Sequence, residues 1–474
     1  MRERSVVERF LIARPEEYLR RPVVRLQPLL AKTGDPNIDL QTLAKTVAGQ
    51  AVIEPTIAIE SPEHWAAVLA GLGDNVDGIL PVSIAAYPTE IWNSHPTPLV
   101  RRGLPLIFWS ILRYDEPDFW RWSARDFLTS LGVSVHLVRH NTDGLNLLRS
   151  LAMKRFLRTA KMVVFGEQNF PWNAPAAGHL VTQSVGTRIV VRKLEDVRRR
   201  YSRFSDSAVE ELWRQRAGRY VVKATRPEER RQAVRTYLAI REILREEQAC
   251  GMGVNCFGDL IIRGGRDVPC LAQTLLREDG YIASCDGDYL AMMSMAMVSF
   301  FLDLPCMMSN MYPVSYVGAL KDHFGDPLSP SPRKYPRKTW GNLARLGHCG
   351  FVGVVSPEMD PSGQTDLHDW GGTYEIKRDG RGCGNAGELA AGQPITVVEL
   401  KFDGRTLLLA RAEVCETTHH KGMPHCEKTA LLRFENLPAF VESISREHSV
   451  VAYGDHIEAL STLGRTLGLD VKIF

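Results

Sequence analysis

Residues 281–310 read YIASCDGDYLAMMSMAMVSFFLDLPCMMSN, and the succession of residue types in this stretch decides how the chain around it folds. A short apolar run ends at Cys285-Asp286, Gly287 permits a sharp exit, and Asp288 is a good helix N-cap. A long apolar segment follows until Leu304-Pro305 stops it, and CMMSN makes a second short run. The pattern predicts strand, helix and strand within the roughly 30 residues of a βαβ crossover, with the two strands parallel and adjacent or nearly so. Ligands of open parallel sheets bind outside the carboxyl ends of strands, so Asp286 and Asn310 become two oxygen ligands facing one site. The same residues also suit a plainer role, with Asp286 and Asp288 as turn and cap residues and Asn310 opening a loop. Met292, Met295 and Phe300 read as packing.

Working outward, ILPVSI (79–84), LPLIFWS (104–110) and VSVHLV (133–138) read as strands with helical patterns between them. A helical stretch from Leu145 to Thr159 leads into the strand KMVVF, and Pro227 to Gln248 has the apolar spacing of an amphipathic helix. KMVVF ends at Gly166-Glu167-Gln168-Asn169, and the strand GVNC ends at Phe257-Gly258-Asp259, so polar residues gather at the same sheet edge as Asp286. The segment GDPLSPSPRKYPRK (325–338) suits a connector. Beyond it ITVVELKF and RTLLLARAEV flank Asp403-Gly404, which predicts a hairpin with a type I′ turn, and TALLRFEN and HSVVAYGD add strands with a short helix between. The expected fold is α/β: two Rossmann-like α/β domains (1–140 and 141–330) followed by a β-rich, barrel-like C-terminal domain (331–474).

Composition narrows the function. The chain has 474 residues with 58 Lys+Arg against 55 Asp+Glu, a formal charge of +3 spread along the sequence, which suggests no nucleic-acid partner. The opening MRERSVVERF lacks the apolar core of a signal peptide, and no run of about 18 apolar residues follows, so the expectation is a cytoplasmic protein without a membrane partner. All nine cysteines lie between Cys250 and Cys426 without a CxxC pair, which argues against a disulfide framework. Neither GxGxxG after a strand, nor GxxxxGK[ST], nor GxSxG occurs, which disfavours nucleotide cofactors and that class of hydrolase. Cys415, His419, His420, His425 and Cys426 have the residue types of a zinc site but not a common spacing.

Three blocks together carry a resemblance: CDGDYLAMMSMAMVSFFLDLPCMMSN, GHCGFVGVVSP from Gly347, and REHSVVAYGDH from Arg446 followed by ALSTLGRTLGLDV. In this order and spacing the chain, over roughly 140–474, resembles the L-fucose isomerase family and looks like the related region of arabinose isomerases. The resemblance implies a metal-dependent aldose–ketose isomerase acting on a monosaccharide through a cis-enediol, and basic residues near the sugar loops leave room for a modified or anionic sugar. It implies a divalent cation, manganese first with magnesium or cobalt as alternatives, and a homo-oligomer (trimer or hexamer) whose sites are completed by a neighbouring subunit. By position, the ligand roles fall on Asp286, Asn310 and His448, with Asp286 also moving the proton. Family members have Glu and Asp where this chain has Asp286 and Asn310, and an amide lacks the charge and basicity of a carboxylate. Asp288 is the substitute ligand or base. His348 joins the substrate-binding candidates, as do Tyr312 and, from the loop GEQNFPWNAP (166–175), Glu167, Asn169 and Trp172, whose types suit sugar hydroxyls and an apolar sugar face. Asn310 keeps two other readings open: a non-catalytic sugar-binding homologue, and an epimerase or lyase that uses the same enediolate.

Overall fold

A computed structural model describes residues 14–31, 38–82, 95–109, 120–262, 268–316, 330–331, 333–348, 356–369, 372–373, 376–377, 382–419 and 428–474. The chain forms two compact units, one of residues 21–156 and one of residues 1–20 with 157–474. The division falls in the last turns of the helix Asn141–Thr159.

In the smaller unit the strands are β1 (Val24–Ala31), β2 (Ala51–Ile53), β3 (Ile57–Ile59), β4 (Gly78–Pro81), β5 (Leu106–Trp109) and β6 (Val135–Val138). They make a parallel sheet in the order β2-β1-β4-β5-β6, with β3 also on β1. Its central strands β4 (GILP) and β5 (LIFW) are continuous apolar runs because both faces are covered. Leu80, Ile107 and Trp109 enter one core with the helix residues Leu147, Leu148 and Leu151, while Ile79, Leu106 and Phe108 enter another with Trp65, Leu99 and Leu128.

The larger unit begins with an α/β layer. β7 (Lys161–Phe165), β8 (Arg188–Arg192), β10 (Gly251–Val254) and β11 (Ile282–Ser284) form a parallel sheet in the order β11-β10-β7-β8. β9 (Tyr220–Ala224) leaves that sheet to pair with β14 (Thr365–Asp369), which also pairs with β17 (Cys383–Ala386). From β7 the chain moves first to β8 on one side and later to β10 on the other. The switch point is therefore the crevice between the carboxyl ends of β7 and β10.

The C-terminal part is a closed antiparallel barrel. β12 (Met307–Pro313), β13 (Leu343–Gly347), β18 (Pro394–Leu400), β19 (Thr406–His419), β20 (Lys428–Phe434) and β21 (His448–Tyr453) follow one another in the order β18-β21-β12-β13-β20-β19, and β18 pairs with β19 to shut the ring. β22 (Asp470–Ile473) adds to β19, and β15 (Gly372–Thr373) with β16 (Ile376–Lys377) makes a small separate pair. Alternate residues such as Met307, Met311, Leu346, Val397, Leu432 and Val451 fill the barrel. The expected architecture of α/β layers followed by a β-rich barrel is the one observed.

Two local expectations are corrected. β11 and β12 are not parallel neighbours: β12 pairs antiparallel with β13 and β21 inside the barrel. The reason lies in the helix between them, Tyr289–Leu302, whose residues are buried on every side. A helix apolar all round needs cover on both faces, and this one has the parallel sheet on one side and the barrel on the other, with Ser294 Oγ accepting from Leu400 N at 3.0 Å. The chain leaving it joins the barrel. The β18–β19 turn is also not type I′. Gly404 takes φ 64°, but Asp403 does not share the positive φ; its carboxylate accepts from Arg405 N and Thr406 N at 2.7 and 2.8 Å in a wider loop.

Candidate active site

Asp286 stands just past the carboxyl end of β11 with φ 56°, and Gly287 follows with φ 62°. An Asp tolerates this left-handed conformation better than most side chains, which lets the strand turn sharply into its helix. The Asp286 carbonyl oxygen accepts from Trp172 Nε1 and Asn173 Nδ2, each at 3.1 Å. Those donors sit on the loop after β7, and the loop is tied down at the switch point. Asn255 Nδ2 donates to Glu167 O at 2.7 Å and to Asn169 Oδ1 at 2.9 Å, and Glu167 N donates to Asp259 Oδ2 at 2.7 Å. Gly166 makes the close approach possible: at φ 103°, a methyl group there would lie 2.3 Å from Asp259 Oδ2.

The barrel supplies the other wall. Asn310 is opposite His448 across β12 and β21, and opposite Gly347 across β12 and β13. Directly paired antiparallel residues point to the same face, so Asn310 and His448 share the outer face of the barrel, with His348 entering from the end of β13. His448 Nε2 is 3.3 Å from Asp286 Oδ2, and His348 Nε2 is 3.5 Å from the same oxygen. One ligand atom each from Asp286, His348 and His448 lies within 4.8 Å of the others, and all three residues are buried. Cys256 Sγ donates to Asp286 Oδ1 at 3.3 Å. Asn310 Nδ2 donates to Tyr312 Oη at 2.9 Å, while Asn310 Oδ1 is buried without a hydrogen-bond partner.

Burial alone would push the Asp286 carboxyl up, but His348 and His448 together hold it well below the usual carboxylate range. Burial likewise opposes ionisation of Asp288, and Arg446 followed by His448 overcomes it. For His448, burial disfavours the imidazolium, yet the carboxylates of Asp286 and Asp288 raise it to about 10. Aromatic rings stand beside His448: Trp172 meets it edge-on at 5.4 Å, Phe170 stacks on Trp172 with centroids 4.8 Å apart, and Phe257 tilts against Phe170 at 5.9 Å.

The structure thus brings Asp286, Asn310, His448, His348, Tyr312 and Trp172 together. Glu167 and Asn169 act differently, anchoring their loop at the switch point with exposed side chains. Asp288 lies on the far side of His448, with its Oδ2 2.8 Å from His448 Nδ1, and it also caps its helix. Sequence reasoning did not single out Cys256, Asn173, Arg446 or Glu399. Arg446 had a signal, a cation two residues before His448 in the bend that leads into β21. The Cys415–Cys426 cluster falls largely outside the described residues, as does most of the segment after His348. Among the described residues, no helix is long and apolar enough to cross a membrane.

Residues 179–301, which include Asp286 and Asp288, match the family model of the L-arabinose isomerase central domain. No curated protein matches the chain significantly. The match supports the arabinose isomerase side of the resemblance rather than L-fucose isomerase specifically. The central part of the chain is similar to a sugar isomerase domain, and that family implies an enzyme interconverting aldoses and ketoses.

Proposed function

We propose that the chain is an aldose–ketose isomerase that works with a divalent cation held by Asp286, His348 and His448. The observation that carries the reading is the convergence of these three buried side chains, one from the carboxyl end of a parallel sheet and two from the barrel, beside a segment similar to a sugar isomerase domain. The residues present fit such an ion. One carboxylate and two imidazoles suit manganese or cobalt better than magnesium, and the orphaned Asn310 Oδ1 offers a neutral oxygen beside them.

When bound, the cation would polarise the sugar carbonyl and acidify the neighbouring C–H and O–H. Asp286 is the carboxylate assigned to accept the proton from one carbon and return it to the next, so that the sugar passes through a cis-enediol. Phe170 and Trp172 take the apolar face of the ring, and the Tyr312 hydroxyl is placed for a sugar oxygen. The reading includes a homo-oligomer, trimer or hexamer, in which a neighbouring copy completes the pocket.

The test is turnover of a panel of aldopentoses and aldohexoses to ketoses, followed by NMR with Mn2+ and after chelation. Manganese-dependent ketose formation that disappears in Asp286→Asn is expected. A folded chain that neither takes up Mn2+ nor converts any aldose overturns the reading.

A further inference from the structure

Behind His448 lies a carboxylate that neither holds the cation nor can move a proton. Asp288 is fully buried, and both of its oxygens are occupied. Oδ1 accepts from Leu290 N and Ala291 N, each at 2.8 Å, as the cap of the helix Tyr289–Leu302. Oδ2 accepts from Arg446 Nε at 2.8 Å and lies 2.8 Å from His448 Nδ1. Four partners exhaust what a carboxylate accepts comfortably, and none leaves a route to substrate.

The arrangement continues into the barrel. Arg446 donates a second nitrogen to Leu400 O at 2.7 Å and brings it 3.4 Å from Glu399 Oε1. Glu399 Oε1 in turn accepts from Ser445 N and Ser445 Oγ, each at 2.9 Å. Asp288 belongs to the α/β layer, whereas Arg446, Glu399 and His448 belong to the barrel. The chain of contacts therefore fixes the imidazole relative to both layers at once.

We infer that Asp288 is the positioning residue of the site: its Oδ2 accepts a hydrogen bond from the protonated Nδ1 of His448, with Arg446 and Glu399 bracing it, and so turns Nε2 toward Asp286 and the cation. The inference rests on the metal-site reading above. A histidine ligand whose other ring nitrogen donates to a carboxylate is fixed in tautomer and orientation and is a better donor, and losing such a partner typically lowers metal affinity about 10- to 100-fold. Asp288 is thereby moved from the ligand or base role that the sequence suggested to one that acts through His448.

The competing account makes Asp288 a helix cap and nothing more, and Asp288→Asn separates the two. Asparagine caps a helix as well as aspartate does. With its oxygen kept on Leu290 and Ala291, however, its amide nitrogen would meet two other donors, Arg446 Nε and His448 Nδ1. Isothermal titration of the full chain with Mn2+, alongside circular dichroism, is expected to show a 10- to 100-fold loss of affinity with helix content intact. Asp288→Asn binding Mn2+ as tightly as the wild type overturns the inference and leaves the metal site standing. A wild-type chain that takes up no Mn2+ overturns both. A second readout needs no variant at this position: with Cd2+ bound, imidazole nitrogen NMR should show His448 coordinated through Nε2 and protonated at Nδ1. Coordination through Nδ1 overturns the assignment even if Asp288→Asn fails to fold.

Discussion

Asn310 and His448 are cross-strand partners on β12 and β21, and the amide oxygen of the first is buried beside the second with no hydrogen bond. On the proposed reading this neutral oxygen, on the same barrel face as His448, is a further candidate ligand of the cation. Asn310→Asp is expected to tighten Mn2+ binding by about tenfold, the equivalent of roughly 1.4 kcal/mol, as a charged ligand replaces a neutral one. Titration calorimetry reads this directly, and unchanged or weaker affinity would remove Asn310 from the site.

His448 lies between two carboxylates that raise its pKa to about 10, so at neutral pH the free site carries an imidazolium. A cation at Nε2 must displace a proton. Protons compete with the cation below the raised pKa, so apparent affinity should rise with pH, approaching tenfold per unit between pH 7 and 9. Calorimetry in two buffers of different ionisation enthalpy should show about one proton released per ion. Equal heats in both buffers would mean that His448 is not a ligand.

Trp172 Nε1 donates to the Asp286 carbonyl at 3.1 Å. Trp172→Phe keeps an aromatic wall and removes that donor, at a cost of about 1 kcal/mol to the geometry of Asp286. A roughly threefold to tenfold fall in cation affinity is expected, with little change in the thermal midpoint.

Gly166 should not tolerate a side chain, because its φ of 103° and the 2.3 Å approach to Asp259 Oδ2 leave no room. Gly166→Ala is expected to destabilise by about 1–3 kcal/mol and to free the loop that carries Trp172. Limited proteolysis at residues 166–175 and a denaturant midpoint measure the two effects.

Phe300 is fully buried in the doubly covered helix, with the Arg14 guanidinium 3.9 Å from its ring centre. Phe300→Ala is expected to cost about 3–5 kcal/mol in the larger unit, seen as a lowered urea midpoint.

The elements around the site are written in local stretches of sequence. The apolar run from Tyr289 to Leu302, bounded by Asp288 and by Leu304-Pro305, could only be a buried helix between strands, and the alternating runs beyond residue 394 could only be sheet. Asp286 at a strand end was legible for the same reason, since local periodicity and turn chemistry act over a few residues. Tertiary structure decided the rest. An all-apolar helix does not say what covers each face, so β12 could be assigned to the parallel sheet although it belongs to the barrel. Nor does spacing tell that His348, Asp286 and His448, far apart in the chain, meet within 4.8 Å, or that Asp288 faces the back of His448. Those relations follow from packing a barrel wall against a sheet edge. No local pattern encodes them, because burial is satisfied by any apolar partner while a site requires one particular partner.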